Sequence, residues 1–401
     1  MIGIFAHIFN SQFFNRPNIG GLFFFTSDIP ANIVDWEIRF SPIIGDHYFG
    51  DLLDGHANLG EQASYFGLSF IFFWLTRSFS YELVFAIFMM LVVTSCALSI
   101  TRWLRIVTND RKTMVIALHF SYPFVFAADR GQVHLLIGYL IALGLSYVVD
   151  AQSGGKILAR GQWALGAALS IKLYPSIIVA FLPRFWSLVK WKFLIVSLLG
   201  FLLITLFLKP SGLNSFFVGV NPASIYNSQG YFAQTLQYNT SLKALIFNLD
   251  FITSEILNFQ FNFLIENYFV LYLLYFSVAT ILIQNKNFRQ DERILVGAIV
   301  SISIAPIAGI YCQTVVASCA LCSLVQFQNI SNFRRRFYLV VVMVSIVPFN
   351  FSLFPRLDSR YLHFQSTVVP LVQHAFVITM CWFSLAQFFS LKRYKELKLA
   401  E

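Results

Sequence analysis

Long apolar runs alternate along the chain with short clusters of polar residues. The continuous apolar stretches fall near 80–100, 113–128, 131–150, 160–184, 193–208, 263–285, 294–330, 337–354 and 366–390. A straight helix needs roughly 20 such residues to cross a bilayer. Residues 294–330 are long enough for two helices and are interrupted at Pro306-Ile307-Ala308-Gly309. Residues 160–184 predict two short helices that turn near Lys172 and Pro175. The pattern therefore predicts an all-α, polytopic transmembrane protein, a single domain over residues 1–401 with about eleven spans. The shorter runs predict helices that end inside the protein or line a cavity. Residues 1–27 are apolar but broken by Asn10, Ser11, Gln12, Asn15, Arg16, Pro17 and Asn18. With no basic residue before Arg16, they do not read as a cleavable signal peptide. They read as a degraded first span, or as a sequence that begins late and lacks one.

Basic residues lie between the apolar runs. They cluster at Arg102, Arg105, Arg111 and Lys112, at Lys156 and Arg160, and at Arg184, Lys190 and Lys192. Further clusters follow at Lys286, Arg289 and Arg293, at Arg334-Arg335-Arg336, and at Lys392, Arg393, Lys395 and Lys398. Threading the spans alternately puts all of these on one side, which the positive-inside rule makes cytoplasmic, together with the C-terminus. The opposite face receives residues 28–65, the turn at 129–131, the turn near Lys172, the loop 209–241, the break at 306–312 and the loop 355–365. The first of these precedes the first clear span. It carries Asp28, Asp35, Glu37, Asp46, Asp51, Asp54 and Glu61 against the one base Arg39.

Composition narrows the class. Hydrophobic residues make up 57% of the 401 and charged residues 12%, about half the charged share of soluble domains. A soluble globular protein and a disordered chain are both excluded. Phe supplies 46 residues, a load that lipid-facing helices absorb and a water-facing surface does not. The net charge of +9 does not indicate nucleic acid, because the basic residues form loop clusters and no continuous stripe. The cysteines, at 96, 312, 319, 322 and 381, all lie inside apolar runs and imply no disulfide framework. These features place the chain in a membrane, with a bacterial cytoplasmic membrane as the expected location.

Four segments carry chemistry. Ile44-Gly45-Asp46-His47-Tyr48-Phe49-Gly50-Asp51 sets carboxylates in an aromatic loop just outside the bilayer. A raised carboxylate pKa there suits a general base, although external loops are acidic in any case. Asp129-Arg130-Gly131-Gln132-Val133-His134 stands at an outer helix turn. Arg130 and the following helix N-terminus suit a phosphate, and an Asp–Arg pair closing the turn is the plainer alternative. Lys172, in Ser170-Ile171-Lys172-Leu173-Tyr174-Pro175, is a charge in an apolar run. It is read either as functional or as snorkelling to the interface. The loop 209–241 is rich in Asn, Gln, Ser and Tyr and ends Gln237-Tyr238-Asn239-Thr240-Ser241-Leu242-Lys243. Amides beside aromatic faces suit a sugar, and a plain polar loop has the same composition. The chain has no G-x-x-x-x-G-K-[ST], G-x-G-x-x-G or H-E-x-x-H, which removes support for an ATP-driven transporter, a Rossmann nucleotide-sugar enzyme and a zinc protease. No metal-ligand spacing stands out, and His47 and His56 near the loop acids are weak evidence for a metal.

Over roughly residues 40–325 these motifs resemble the GT-C class of integral-membrane glycosyltransferases. They are most similar to glycosyltransferase family 87, the polyprenyl-phosphate-mannose-dependent mannosyltransferases. Gly131-Gln132-Val133-His134 resembles the family's Gly-Gln-x-Asn turn, and Ile171-Lys172-Leu173-Tyr174-Pro175 its Leu-Lys-x-x-Pro element. Arg184-Phe185-Trp186 is similar to its basic, Trp-containing cytoplasmic turn. Asn239-Thr240-Ser241-Leu242 resembles Asn-Gln-Ser-Leu, and Ala305-Pro306-Ile307-Ala308 resembles Ser-Pro-Ile-Ser. The family continues with Trp-x-His-His where this chain has Gly309-Ile310-Tyr311-Cys312. The resemblance implies a GT-C-like fold and inverting transfer of a sugar, a hexose such as mannose, from a polyprenyl-phosphate donor. The acceptor would be an envelope glycan or glycolipid on the outer face. Asp46 would act as base with Asp51 beside it, and Lys172 and Arg130 would hold the donor phosphate. Gln132, His134, Tyr174, Asn239, Ser241 and Tyr311 would bind substrate. No cofactor beyond the lipid-linked donor is implied, and a divalent metal is not required. Two rivals stay open, a surface-polysaccharide polymerase or ligase and a non-enzymatic transporter of lipid-linked sugars. The first tends to carry its large external loop later in the chain, and the second prefers polar groups at the midplane and two-half symmetry.

Overall fold

The computed structural model describes residues 81–129, 133–150, 156–172, 239–257, 262–283, 288–303, 312–326, 333–346 and 364–400, with isolated positions elsewhere. Among these the regular elements are helical, with a single bridge position at Asn239. In chain order they are α1 (Tyr81–Ile106), α2 (Lys112–His119), α3 (Tyr122–Asp129), α4 (His134–Asp150), α5 (Lys156–Ile171), α6 (Leu242–Leu257), α7 (Asn262–Glu266), α8 (Tyr268–Ile283), α9 (Gln290–Ser303), α10 (Gln313–Gln326), α11 (Phe333–Ile346) and α12 (Phe364–Ala400). A short 3-10 turn, Asn109–Arg111, links α1 to α2.

Three helices form the centre. From Asp291 onward α9 buries nearly every residue it has, and α10 and the first three turns of α4 do almost the same. A helix that is apolar all round is stable only when it is surrounded. α4 and α10 run parallel and in register, because Ser318 Oγ donates to the Gly138 carbonyl (2.8 Å) and Thr314 Oγ1 to the His134 carbonyl (3.2 Å). Gly138 permits this approach, since a Cβ there would lie 2.9 Å from Thr314 Cβ and 2.8 Å from the Phe124 ring. α5 folds back on α4 as a hairpin. Its crossing is set by Gly144 and Gly161, where added Cβ atoms would each come within 2.6 Å of a side chain on the other helix.

Around this centre, α1, α8, α11 and α12 each bury one face and expose another that is also apolar. Met90 is 69% exposed, Ile281 72% and Trp382 69%, with Leu98, Leu274, Met343 and Ile378 beside them. A water-facing helix would show charge there. Ala86–Ile106 and Ser366–Ser390 are long and apolar enough to cross a membrane, and three shorter apolar helices accompany them, His134–Asp150, Val270–Ile283 and Gln313–Val325.

The structure refines several sequence expectations. The apolar stretch 113–128 is not one helix. α2 stops at His119, Ser121 Oγ donates to the Leu118 carbonyl (2.8 Å), and Pro123 sits in the first turn of α3, where its missing N–H is harmless. The run 160–184 does break where predicted, as α5 ends at Ile171. The run 294–330 divides into α9 and α10 on either side of the Pro306 segment. α6 had no counterpart in the hydropathy pattern, because Lys243, Asn248, Asp250 and Glu255 interrupt its apolar residues.

Candidate functional site

One end of the bundle gathers mainly neutral polar groups, with Lys243 a buried cation among them. α4 starts there with His134, which is buried. The His134 ring lies 5.9 Å from the Tyr174 ring, and its Nε2 is 3.6 Å from Cys312 Sγ, at the start of α10. The next residue, Gln313, is fully buried and donates from Nε2 to Thr240 Oγ1 (2.9 Å). Its Oε1 accepts from Gln373 Nε2 (2.7 Å), and the same Gln373 nitrogen donates to Ser345 Oγ (2.8 Å). The chain of bonds therefore joins α10, α11, α12 and the segment before α6.

The two amide orientations are linked. As placed, Ser345 gives its hydroxyl proton to the Val341 carbonyl (2.7 Å). Turning the Gln373 amide over alone would set its oxygen against Gln313 Oε1, whereas turning both over keeps every contact with Thr240 and Ser345 as the donors. As placed, Gln373 Oε1 is buried with no donor. Asn248 on α6 repeats the situation. Its Nδ2 donates to the Ser366 carbonyl (3.0 Å), Ser366 Oγ (3.2 Å) and Thr367 Oγ1 (3.1 Å), and its Oδ1 is buried with no donor. Each buried acceptor left open costs about 1–3 kcal/mol.

Asn239, Thr240 and Ser241 build the start of α6. Asn239 Oδ1 accepts from the Ser241 backbone N–H (3.0 Å), and Ser241 Oγ accepts from the Ala244 N–H (3.1 Å), the bond of a helix N-cap. One turn in, Lys243 is only 3% exposed. Burial lowers its pKa from the ordinary 10.5 to about 8. A cation in a first helical turn also stands at the unfavourable end of the helix dipole.

His374, one residue beyond Gln373, clasps two more helices. Its Nδ1 is 2.9 Å from Tyr275 Oη and its Nε2 is 3.3 Å from Ser303 Oγ. Ser303 donates its own proton to the Ile299 carbonyl (2.6 Å), so it accepts from Nε2–H, and Nδ1 accepts from the tyrosine. This makes a saturated structural relay with no proton to spare for chemistry. Tyr268 and Tyr272 reinforce it, donating to the carbonyls of Ser303 and Val300.

The other end of the bundle is built from ion pairs. Fully buried Asp291, at the start of α9, accepts from Arg335 Nη1 (2.6 Å), with Arg289 Nε at 3.5 Å. Arg334 reaches Glu292 (3.8 Å), whose carboxylate also accepts the Arg289 backbone N–H (3.1 Å). Arg102 pairs with Asp150, and Arg111 donates to the Leu324 carbonyl (2.5 Å). The C-terminal ends of α1, α4 and α10 thus meet the N-terminal ends of α9 and α11.

The residues expected from sequence divide between described and undescribed positions. His134 and Tyr174 come together, and Asn239 and Ser241 join them through Thr240, Gln313 and Cys312. Lys172 follows the last residue of α5, half-buried, with its backbone N–H on the Ala168 carbonyl (3.3 Å). Asp46, Asp51, Arg130, Gln132 and Tyr311 lie outside the described residues. Asn239 and Ser241 have a structural duty that the sugar reading did not include, since both oxygens cap a helix. Sequence reasoning missed Gln313, Gln373, Asn248 and Lys243. The available signal was a glutamine inside each of two apolar runs, where a polar side chain needs a partner. For a metal, His134 and Cys312 form a pair, and among the described residues no group of three ligating side chains occurs. No family model matches the chain, and neither does any curated protein or solved structure.

Proposed function

We propose that the chain is a membrane-embedded glycosyltransferase with about eleven spans. It moves a sugar, a hexose such as mannose, from a polyprenyl phosphate to an envelope glycan or glycolipid on the outer face of a bacterial cytoplasmic membrane. The observation that supports this reading is a convergence. Segments near residues 134, 174 and 240, distant in sequence and each similar in pattern to a family-87 element, are brought to one end of the bundle around Cys312 and Gln313. The ion-paired end would then be cytoplasmic, as the basic loops imply. The exposed apolar faces of α1, α8, α11 and α12 would meet lipid.

In this reading the acceptor hydroxyl oxygen attacks the anomeric carbon as the bond from that carbon to the phosphate oxygen breaks, with inversion. Asp46 takes the hydroxyl proton, and Asp51 orients the acceptor. Lys172 and Arg130 hold the departing polyprenyl phosphate, whose charge grows in the transition state. Gln132, His134, Tyr174, Asn239, Ser241 and Tyr311 surround the sugar. Where cationic side chains carry the electrostatic work, a divalent metal is not required.

Purified protein in lipid nanodiscs, given a panel of labelled polyprenyl-phosphate sugars and envelope acceptors, tests this directly. Transfer from one donor is expected, falling about 10²–10⁴-fold in Asp46→Asn with donor binding retained. Full activity in Asp46→Asn would move the base to Asp51 or Asp54. Movement of unaltered lipid-linked sugar across vesicles, with no transfer, would replace the enzyme by a transporter.

A further inference from the structure

We propose that Gln373 reads a hydroxyl group of the sugar on the lipid-linked donor, an inference that rests on the transferase reading and goes beyond it. The residue belongs to no motif of the resemblance. It is fully buried, and its nitrogen is committed twice, to Gln313 Oε1 (2.7 Å) and Ser345 Oγ (2.8 Å). Gln313 in turn commits its nitrogen to Thr240 Oγ1 (2.9 Å). As placed, donation runs from Gln373 through Gln313 to Thr240, and with both amides turned over it runs back. In either case one amide atom of Gln373, Oε1 as placed, has no partner in the protein, and a hydroxyl, which both donates and accepts, can meet it. Asn248 Oδ1 is a second such acceptor, its amide fixed because reversal would set oxygen against the Ser366 carbonyl. Ser366, which holds Asn248, and Gln373 are seven residues apart on α12, hence two turns along one face, about 10 Å.

The chemistry of the missing partner follows. An open amide oxygen accepts O–H or N–H donors and repels anions. A phosphate group offers oxygens only and does not fit. A sugar offers several hydroxyl donors. The bundle end thus sorts the two parts of a glycosyl phosphate: the half-buried cation Lys172 suits the phosphate, and the buried amides of α12 and α6 suit the ring. A site that hydrogen-bonds a substrate hydroxyl discriminates against an analogue lacking it, because its own polar group is then left unpaired. Gln373 is accordingly a specificity-determining residue.

The test measures binding of polyprenyl-phosphate mannose and glucose, and of analogues each lacking one ring hydroxyl, to the full-length protein in nanodiscs. The wild type should bind one deoxy analogue about tenfold more weakly than the parent sugar, the effect of one net hydrogen bond. Gln373→Met should bind the parent about tenfold more weakly and treat parent and that analogue alike. Gln373→Asn, which keeps an amide and guards against a misfolded Met variant, should restore part of the discrimination. Undiminished discrimination in Gln373→Met would overturn the inference, as would an equal loss for every analogue. A wild type that binds no lipid-linked sugar would instead overturn the transferase reading beneath it.

Discussion

At one end of the bundle the fully buried Asp291 meets Arg335, Arg289 stands beside it, and Glu292 meets Arg334. At the other end the equally buried Gln313 and Gln373 meet only neutral groups, and two acceptors stay open. The difference is one of kind. Both ends leave buried atoms without a hydrogen-bond partner, Asp291 Oδ1 at the ionic end and Gln373 Oε1 and Asn248 Oδ1 at the other. The Asp291 oxygen lies 3.5 Å from Arg289 Nε, so charge compensates it. The amide atoms have no charge beside them in these contacts, and a neutral hydrogen-bonding group on a bound molecule can satisfy them.

Substitutions at the two ends should differ in size and sign. Arg335→Met leaves Asp291 buried with only Arg289 near it, and should lower stability by about 3–5 kcal/mol, measured by thermal unfolding in detergent. The double change Asp291→Leu with Arg335→Met should recover most of that loss, because the charge and its desolvation cost go together. A single variant as stable as the wild type would mean that Asp291 is already relieved by another route. At the neutral end, Gln313→Met should cost less, about 1–3 kcal/mol, since it strips Thr240 and Gln373 of one hydrogen bond each and leaves no unpaired charge. Losses of equal size at both ends would erase the contrast.

Lys243 gives the smallest effect, and its sign is fixed. Its folded-state pKa is about 8, below the ordinary 10.5, so between these values the unfolded chain holds more protons than the folded one. Stability should therefore rise with pH across roughly 8 to 10.5 and be flat in this respect below 8. The difference in melting temperature between wild type and Lys243→Met should shrink or reverse in the wild type's favour over that window. A pH-independent difference would mean that Lys243 keeps its ordinary pKa in the fold.

Much of this architecture can be read in the chain, for reasons that differ by element. α4, α10 and α12 are apolar over most of their length, and hydropathy finds them. The stop at Ile171 is legible because Lys172 and Pro175 both oppose continuation. The break at Ser121 is not, since Phe120, Tyr122 and Phe124 keep the run apolar and Pro123 suits the start of the next helix. α6 escapes notice because its buried face includes Lys243 and Asn248, which look like solvent residues; Asn248 finds its partners only when Ser366 and Thr367 are brought to it from more than a hundred positions away. The site divides the same way. His134 and Tyr174 stand out as polar or aromatic residues at predicted turns. Gln313 and Gln373 stand out only as polar residues inside apolar runs; that they face each other across α10 and α12 has no local signature.

The sidedness of the two ends bears most directly on the account. Arg105 and Arg336 are exposed residues at the ionic end, and residue 358 lies in the segment joining α11 to α12, whose flanking residues Ser345 and Ser366 belong to the neutral end. Single variants Arg105→Cys, Arg336→Cys and Asp358→Cys in intact cells, treated with a membrane-impermeant thiol reagent, separate the faces. Labelling at 358, with protection at 105 and 336 until the cells are opened, is the predicted result. Labelling at 105 or 336 on the same side as 358 would contradict it, and would remove the outward-facing site with it.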